Sequence, residues 1–262
     1  RTAMRGLYHQ RSGIELGPPH TAYERPRNFH PDDGVTVYAS TASLLDTGNG
    51  PIGYDVETTN FHNLVQGRTD ETVPDAWGGY HDAGDWDRRI QHLNATRYLL
   101  DLAELFPEYM ASLDLNIPES GGHLPDIVEE ALFGLDVYRR LQTDDGGVRG
   151  GIESAEHPRY GEASWQESLS VMAYAPDVWS TYWYAGTAAQ AAQYLESSDS
   201  ERAAGYRDSA LRAMAWAESA LEQEPQARSL ASRAWTTLIL SVLAVGGLGY
   251  LTIWYAKTLS KR

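Results

Sequence analysis

Apolar residues recur at helical spacing through the middle of the chain. Ile90, Leu93, Tyr98, Leu99, Leu102 and Leu105 share one face of a run that starts at Arg88 and is ended by Pro107. A second helix is predicted from Pro125, a favoured first-turn residue, with Ile127, Ala131, Leu135, Tyr138 and Leu141 on one side before Asp145, Gly146 and Gly147 stop it. A third covers 180–195. A fourth covers 201–223, groups Tyr206, Ala210, Ala213, Ala217 and Leu221, and stops before Pro225. Residues 1–75 are rich in Pro, Gly, His and Thr without sustained period and read as loops and short extended pieces, apart from a short helix near Tyr38 to Leu45. Four long helices joined by long loops, with no alternating strand pattern, predict an all-α domain.

The last segment differs in kind. Residues 234–256 carry no charge and include Leu238, Ile239, Leu240, Val242, Leu243, Val245, Leu248, Leu251 and Ile253, a length that spans a bilayer. Trp235 at one end and Trp254 and Tyr255 at the other, followed by Lys257, Lys261 and Arg262, match interfacial aromatics and a basic flank. The expectation is a transmembrane helix over 234–256, with a buried core helix as the plainer reading. The basic residues lean to a cytoplasmic C-terminus, which puts the body of the chain on the extracellular or periplasmic side and makes the membrane a partner.

Charge sharpens this division. The formal net charge is −15, but residues 226–262 hold five basic and no acidic side chains, leaving 16 basic against 36 acidic, or −20, for residues 1–225. An acidic body repels nucleic acid and anionic polysaccharide alike. Eight Trp and sixteen Tyr against four Phe supply many rings with a polar handle, suited to half-wet surfaces such as sugar clefts and equally to amphipathic packing. With no cysteine there is neither disulfide nor thiolate metal site. The opening residues have no apolar signal-peptide core, so the chain is expected to be a fragment at its front.

The candidate chemistry lies just before the first long helix. Asp82 and Asp85 stand three apart around Ala83 and Gly84, where a tight turn can direct both carboxylates into one cleft. Two acids converging on one water are what general-base activation requires, one accepting the proton and the other orienting the nucleophile. Helix capping by Asp85, with Asp82 serving the turn, explains the pair equally well when it is taken alone. Gly78 and Gly79 permit close backbone approach, and Trp77, Tyr80, His81 and Trp86 surround the acids with groups suited to stacking on or bonding sugar rings. Trp165, Trp179, Tyr182, Trp183 and Tyr184 are further candidates for a sugar groove, although core packing accounts for Trp183 and Tyr184 at least as well. Tyr80, His81, Trp86, Trp165 and Trp183 are thus the substrate-binding candidates.

The run Gly78, Gly79, Tyr80, His81, Asp82, Ala83, Gly84, Asp85 resembles the Gly-Gly-Trp-Tyr-Asp-Ala-Gly-Asp signature of glycoside hydrolase family 9, which holds cellulases and endoglucanases. Downstream, Asn116, Ile117, Pro118, Glu119, Ser120, Gly121, then Leu124, Pro125, Asp126, Ile127 and Glu130, Ala131 resemble its Pro-Glu-Ser-Gly, Pro-Asp and Glu-Ala segments. Gln142 with Asp145, Gly146, Gly147 and Val148 resembles its Gln…Asp-Gly-Gly-Val loop, and Thr187, Ala188 and Ala189 also fit. Upstream, Tyr8, Gln10, Arg11, Ser12, Gly13, Arg25 and Pro26 resemble the passage from an immunoglobulin-like module into the catalytic domain. The similarity covers roughly residues 5–222. It implies a partial (α/α)6 barrel of the six-hairpin glycosidase type, and hydrolysis of O-glycosidic bonds in a β-linked glycan with inversion. By the resemblance Asp85 is the general base and Asp82 positions the attacking water.

Departures matter as well. The family's Trp-Tyr before the acids is Tyr80-His81 here, and its His-Val-Lys-Phe-like run after them is Trp86, Asp87, Arg88, Arg89, so the preference is open to β-glucans other than cellulose and to chito-oligosaccharides. Where many relatives carry Cys-His after Arg-Pro, this chain has Arg27, Asn28, Phe29 and His30, which implies no zinc site there. His81 lacks metal-ligand partners at suitable spacing, and no cofactor is expected. Structural calcium is implied for many family members, but no compact Asp-x-Asp-x-Asp loop is present. The family's general acid, a distal Glu, has no motif match in the chain. Glu162 and Glu167, flanking Trp165, read as solvated loop carboxylates rather than substitutes. The expected organisation is a lead-in segment 1–30, a truncated catalytic domain 31–225, and a linker with the apolar span over 226–262. The rival to an enzyme is a membrane-tethered glycan-binding protein or an inactive fragment without the acid.

Overall fold

The computed structural model describes residues 2–47, 60–81 and 88–223. Its long helices lie close to where periodicity puts them. Helix α3 (Leu93–Leu105) buries Leu93, Leu99, Leu100 and Ala103, and is followed after Phe106 by the short α4 (Pro107–Ala111). Helix α5 (Asp126–Arg140) follows Pro125, which stands at its N-cap. Asp126 and Glu129 lie in its first turn and Arg139 and Arg140 in its last, the polarity that the helix dipole favours. Asp126 does more than sit near the dipole, because its buried Oδ2 accepts from Leu115 N at 2.7 Å and Ser120 Oγ at 2.5 Å, tying the preceding turn to the helix start. Helix α6 (Val178–Leu195) is capped by Asp177, whose Oδ1 accepts from Ser180 N at 2.7 Å. Helix α7 (Ser200–Gln223) packs extensively along α6. Buried alanines on both, including Ala188, Ala191 and Ala192 against Ala203, Ala210 and Ala213, leave small surfaces that let the backbones approach.

The expectation of an all-α domain is overturned by a five-stranded sheet in the order β2-β1-β5-β4-β3. The strands are β1 (Val37–Ser43), β2 (Arg68–Thr72), β3 (Arg88–Arg89), β4 (Gly151–Ser154) and β5 (Val171–Ala175). Only β1 and β5 run parallel, with Val37 opposite Val171 and Ala39 opposite Ala173, and the other pairs are antiparallel. These strands escape detection for a physical reason. Each is two to seven residues long, the sequences VYASTAS, RTDET and GIES carry no clean alternation, and β4 and β5 are buried on both sides nearly throughout. The short helix expected near Tyr38 to Leu45 is instead β1 followed by one 3-10 turn at Leu44–Asp46. Likewise the run from Arg88 begins as β3 and a 3-10 turn at Ile90–His92 before α3 starts. The N-terminal region, expected to be mostly loops, contains helices α1 (Thr2–Gln10) and α2 (Asn60–Gln66).

The main core joins α3, α5 and α6 to the sheet through Ile90, Leu93, Ile127, Leu135, Ile152, Tyr174 and Leu195, all fully buried, and α7 adds Ala203, Tyr206, Ala210 and Ala213. A smaller cluster of Tyr8, Leu16, Leu115 and Ile117 fastens α1 to the segment before α5. The expected transmembrane helix at 234–256 lies outside the described residues. Among the described residues no helix is long and apolar enough to cross a membrane.

Candidate active site

Asp82, Asp85 and Trp86 lie outside the described residues, which resume at Arg88. What the structure defines is the frame on either side of them. Trp77, Gly78 and Gly79 rest on the end of α5, where the Arg140 guanidinium lies 3.9 Å from the Trp77 ring centroid and donates to the Trp77 carbonyl at 2.8 Å. Gly78 and Gly79 have φ of 92° and 71°, the left-handed region that glycine adopts without strain, and a Cβ on Gly78 would collide with Arg140. The left-handed backbone at both positions is the reason for the Gly-Gly pair. The chain then pairs with the N-terminal segment: Ser12 N donates to Gly79 O and His81 N to Gln10 O, both at 2.8 Å, around a bridge between Arg11 and Tyr80.

Tyr80 is buried, and its hydroxyl lies 2.7 Å from the Glu130 carbonyl and 3.0 Å from Glu130 Oε1 on α5. The ring fits because position 134 on α5 is glycine, where a Cβ would meet Tyr80 Cε2 at 2.7 Å. Glu130 is held in turn by Arg11, whose Nε donates to Oε1 at 3.2 Å and whose Nη2 stands 3.2 Å from Oε2. Arg11 also donates through Nη1 to both oxygens of Glu119, at 3.0 and 3.1 Å. Arg11 and Glu130 are almost wholly removed from solvent, at 1% and 0% side-chain exposure. Burial pushes the Glu130 carboxyl upward, against the lowering pull of Arg11. Burial would lower Arg11, but Glu130 and Glu119 outweigh it and raise the guanidinium. Burial, reinforced by Glu130, also holds the Tyr80 phenol well above its ordinary value, so it stays protonated.

His81 is buried too. Its Nε2 is 2.9 Å from the Asn28 side-chain nitrogen, which also donates to Ser164 Oγ at 3.3 Å, and Phe29 lies against the ring. Phe29 has φ of 54°, a left-handed conformation that is strained for a bulky side chain and is retained beside the site. Through Asn28 and Ser164 the structure brings His81 together with the 3-10 turn Ser164–Gln166, on which Trp165 is about half exposed at 47%. Trp183 lies elsewhere, packing edge-on against Trp179 on α6 with its ring partly buried at the main core. Tyr80 and His81 thus present little surface to solvent, whereas Trp165 presents a ring face.

After the aspartates, Arg89 enters β3 and forms an ion pair with Glu153 at 2.6 Å, and Glu153 accepts a short bond from the Tyr174 hydroxyl. The Arg89 carbonyl accepts from Tyr138 of α5, and Ile90 N donates to Gly150 O at 2.9 Å. Glu162 Oε1 accepts from Ser168 Oγ at 2.7 Å and Glu167 Oε1 from Leu169 N at 3.4 Å, so both carboxylates are engaged in the turns of their own loop. Among the described residues no group of three or more His, Asp and Glu side chains is placed to hold a metal ion. Arg11, Asn28, Glu130 and Glu153 were not singled out as site residues from the sequence. No local signal marks them: Glu130 stands next to Glu129 and near Asp126 in the sequence, and all three read alike as helix charges.

Comparison with known proteins places this frame. The model of Glycosyl hydrolase family 9 matches residues 1–236. The xyloglucan-specific endo-beta-1,4-glucanase BoGH9A of Bacteroides ovatus is 28% identical over 148 residues, covering 56% of this chain and 22% of the relative. Endoglucanase D of Acetivibrio thermocellus is 32% identical over 79 residues, 30% of this chain and 13% of its own length. Among solved structures, a metagenome-derived glycoside hydrolase family 9 endoglucanase superposes with a TM-score of 0.60 at 26% identity over 83% of this chain and 35% of that one. A Bacteroides ovatus GH9 structure gives 0.64 at 23% identity, over 83% and 37%. The chain therefore spans about a fifth of the first curated relative and about a third of the structures it matches.

Proposed function

Because the chain belongs to glycosyl hydrolase family 9, we propose that the protein hydrolyses O-glycosidic bonds of a β-linked glucan with inversion, water being activated at Asp85 and positioned by Asp82. The observation that carries this reading is the Gly-Gly-Tyr-His-Asp-Ala-Gly-Asp run, whose first half is locked to α5 and to the N-terminal segment while Arg89 is locked to the sheet. In the reaction Asp85 takes a proton from the water as its oxygen attacks the anomeric carbon from the face opposite the leaving oxygen. Inversion also needs an acid across the ring, commonly about 6.5–9.5 Å from the base, to protonate that oxygen, a role for which residues 1–262 offer no motif match. Trp165, exposed on the turn tied to His81, is suited to stack on a sugar face. The name of the Bacteroides ovatus relative supports a β-1,4-glucan, with xyloglucan as the first substrate to try, and that of the Acetivibrio thermocellus relative supports a glucan. The strongly acidic body disfavours anionic glycans.

Reducing-sugar release from xyloglucan, mixed-linkage β-glucan and chitosan oligomers tests this. Wild type should release sugar, and Asp85→Ala should lower the rate by about 10²–10⁴-fold, the usual weight of a general base. Release by wild type no greater than by Asp85→Ala, with oligosaccharide still retained, would instead make the protein a glycan binder.

A further inference from the structure

Two triads of the same composition flank the aspartate-bearing stretch. On the N-terminal side stand Arg11, Glu130 and Tyr80, and on the C-terminal side Arg89, Glu153 and Tyr174. In each, a buried glutamate at 0% or 2% side-chain exposure receives both a guanidinium and a phenol hydroxyl. In each, one member belongs to the backbone that leads to the acids, Tyr80 two residues before Asp82 and Arg89 four after Asp85. One face of α5 reaches both sides. Glu130, Gly134 and Tyr138 are spaced by four and so stack along the helix. Glu130 binds the Tyr80 hydroxyl, Gly134 leaves room for the Tyr80 ring, and Tyr138 donates to the Arg89 carbonyl.

A buried charge is costly unless paired, and the partners that offset that cost leave it few alternative positions. Fastening a glutamate of rigid α5 to Tyr80 and a glutamate of β4 to Arg89 therefore specifies where the chain departs and where it returns. We propose that Glu130 and Glu153 are positioning residues that set the placement of Asp82 and Asp85 against the bound glycan. This rests on the catalytic reading of those aspartates. Neither glutamate touches substrate on this view. Each acts through the backbone of the stretch.

The experiment compares Glu130→Gln and Glu153→Gln with Glu129→Gln in the same chain. Glu129 neighbours Glu130 on α5 but is paired with Arg202 of α7, so it controls for loss of an ion pair alone. Both triad variants should lower kcat by about 10²-fold, the cost of misplacing catalytic groups by about 1 Å, with KM within about twofold of wild type. Amide hydrogen exchange in the peptide covering 82–87 should quicken in both, while α6 and α7 keep their protection and Glu129→Gln changes neither readout. Exchange over 82–87 unchanged in triad variants that still unfold cooperatively overturns the proposal, as does a kcat loss equalled by Glu129→Gln. Should Glu153→Gln fail to fold, Tyr174→Phe and Tyr138→Phe decide by the same two readouts. A wild type no more active than Asp85→Ala refutes the catalytic reading separately, and the exchange measurement then still decides whether the triads place the stretch.

Discussion

The two sides of α5 solve the same problem with different consequences. Toward the aspartate stretch, Glu130 meets Arg11 and Tyr80 with almost no solvent left. Toward α7, Glu129 is held by both terminal nitrogens of Arg202 at 3.0 Å, Tyr206 donates to Asp136 at 2.7 Å, and Arg202 keeps a third of its side chain in water. Adjacent residues of one type thus face different dielectrics. In the wet setting an ion pair trades one hydrated state for another. In the dry one its loss strands a charge.

The sharpest way to break this contrast is to delete the cation on each side. Arg11→Ala leaves the buried Glu130 without its cation, with the Tyr80 hydroxyl still on Oε1, and removes both bonds to Glu119, and should cost about 3–5 kcal/mol in urea unfolding, whereas Arg202→Ala should cost about 1 kcal/mol. Equal losses would show that burial is not what separates the two sides. Glycines give an intermediate test. Gly134→Ala forces a methyl against the Tyr80 ring and Thr96 Oγ1, at 2.7 and 2.8 Å, and should destabilise by about 1–3 kcal/mol as overpacking does. Gly186→Ala on α6, where an added Cβ meets nothing within 4 Å, should instead stabilise by up to about 1 kcal/mol through helix propensity. Opposite signs in thermal melting are the expected result.

The smallest effect concerns pH, at the turn that follows α5 and packs on Trp216 of α7. Asp145 accepts from Thr143 Oγ1 at 2.6 Å and from Trp216 Nε1 at 3.1 Å, and these bonds, Thr143 foremost, hold its carboxyl below the ordinary value. A carboxyl lowered on folding stabilises fully above its unfolded pKa, and that contribution is lost as pH falls through the folded one. Stability measured from pH 6 down to pH 2 should therefore fall less steeply in Asp145→Asn than in wild type, with the divergence confined to below about pH 4. An unchanged acid limb would mean that the turn does not depend on the ionised Asp145.

Legibility followed the range of the interactions. Helices α3, α5, α6 and α7 were readable because their apolar faces repeat within a few residues and their ends carry local signals such as Pro107, Pro125 and the Asp145-Gly146-Gly147 turn. The sheet was not, because β1 finds β5 across more than a hundred residues, β5 needs no alternation with both faces covered, and the partly exposed β1 shows none in VYASTAS. At the site, the motif containing Asp82 and Asp85 was visible as a run of neighbours, but its frame was not. Tyr80 and His81 read as rings for sugar, yet both are buried, one on Glu130 and the other beside Asn28 and Phe29.

By itself the sequence determined the family, the four long helices and the pair of acids, since each is written in contiguous or evenly spaced residues. Only the tertiary structure decided which charges are dry. Arg11 and Glu130 lie 119 positions apart, and Arg89 and Glu153 64 apart. Nothing local distinguishes them from the solvated charges around them until folding removes the water and makes each pairing obligatory.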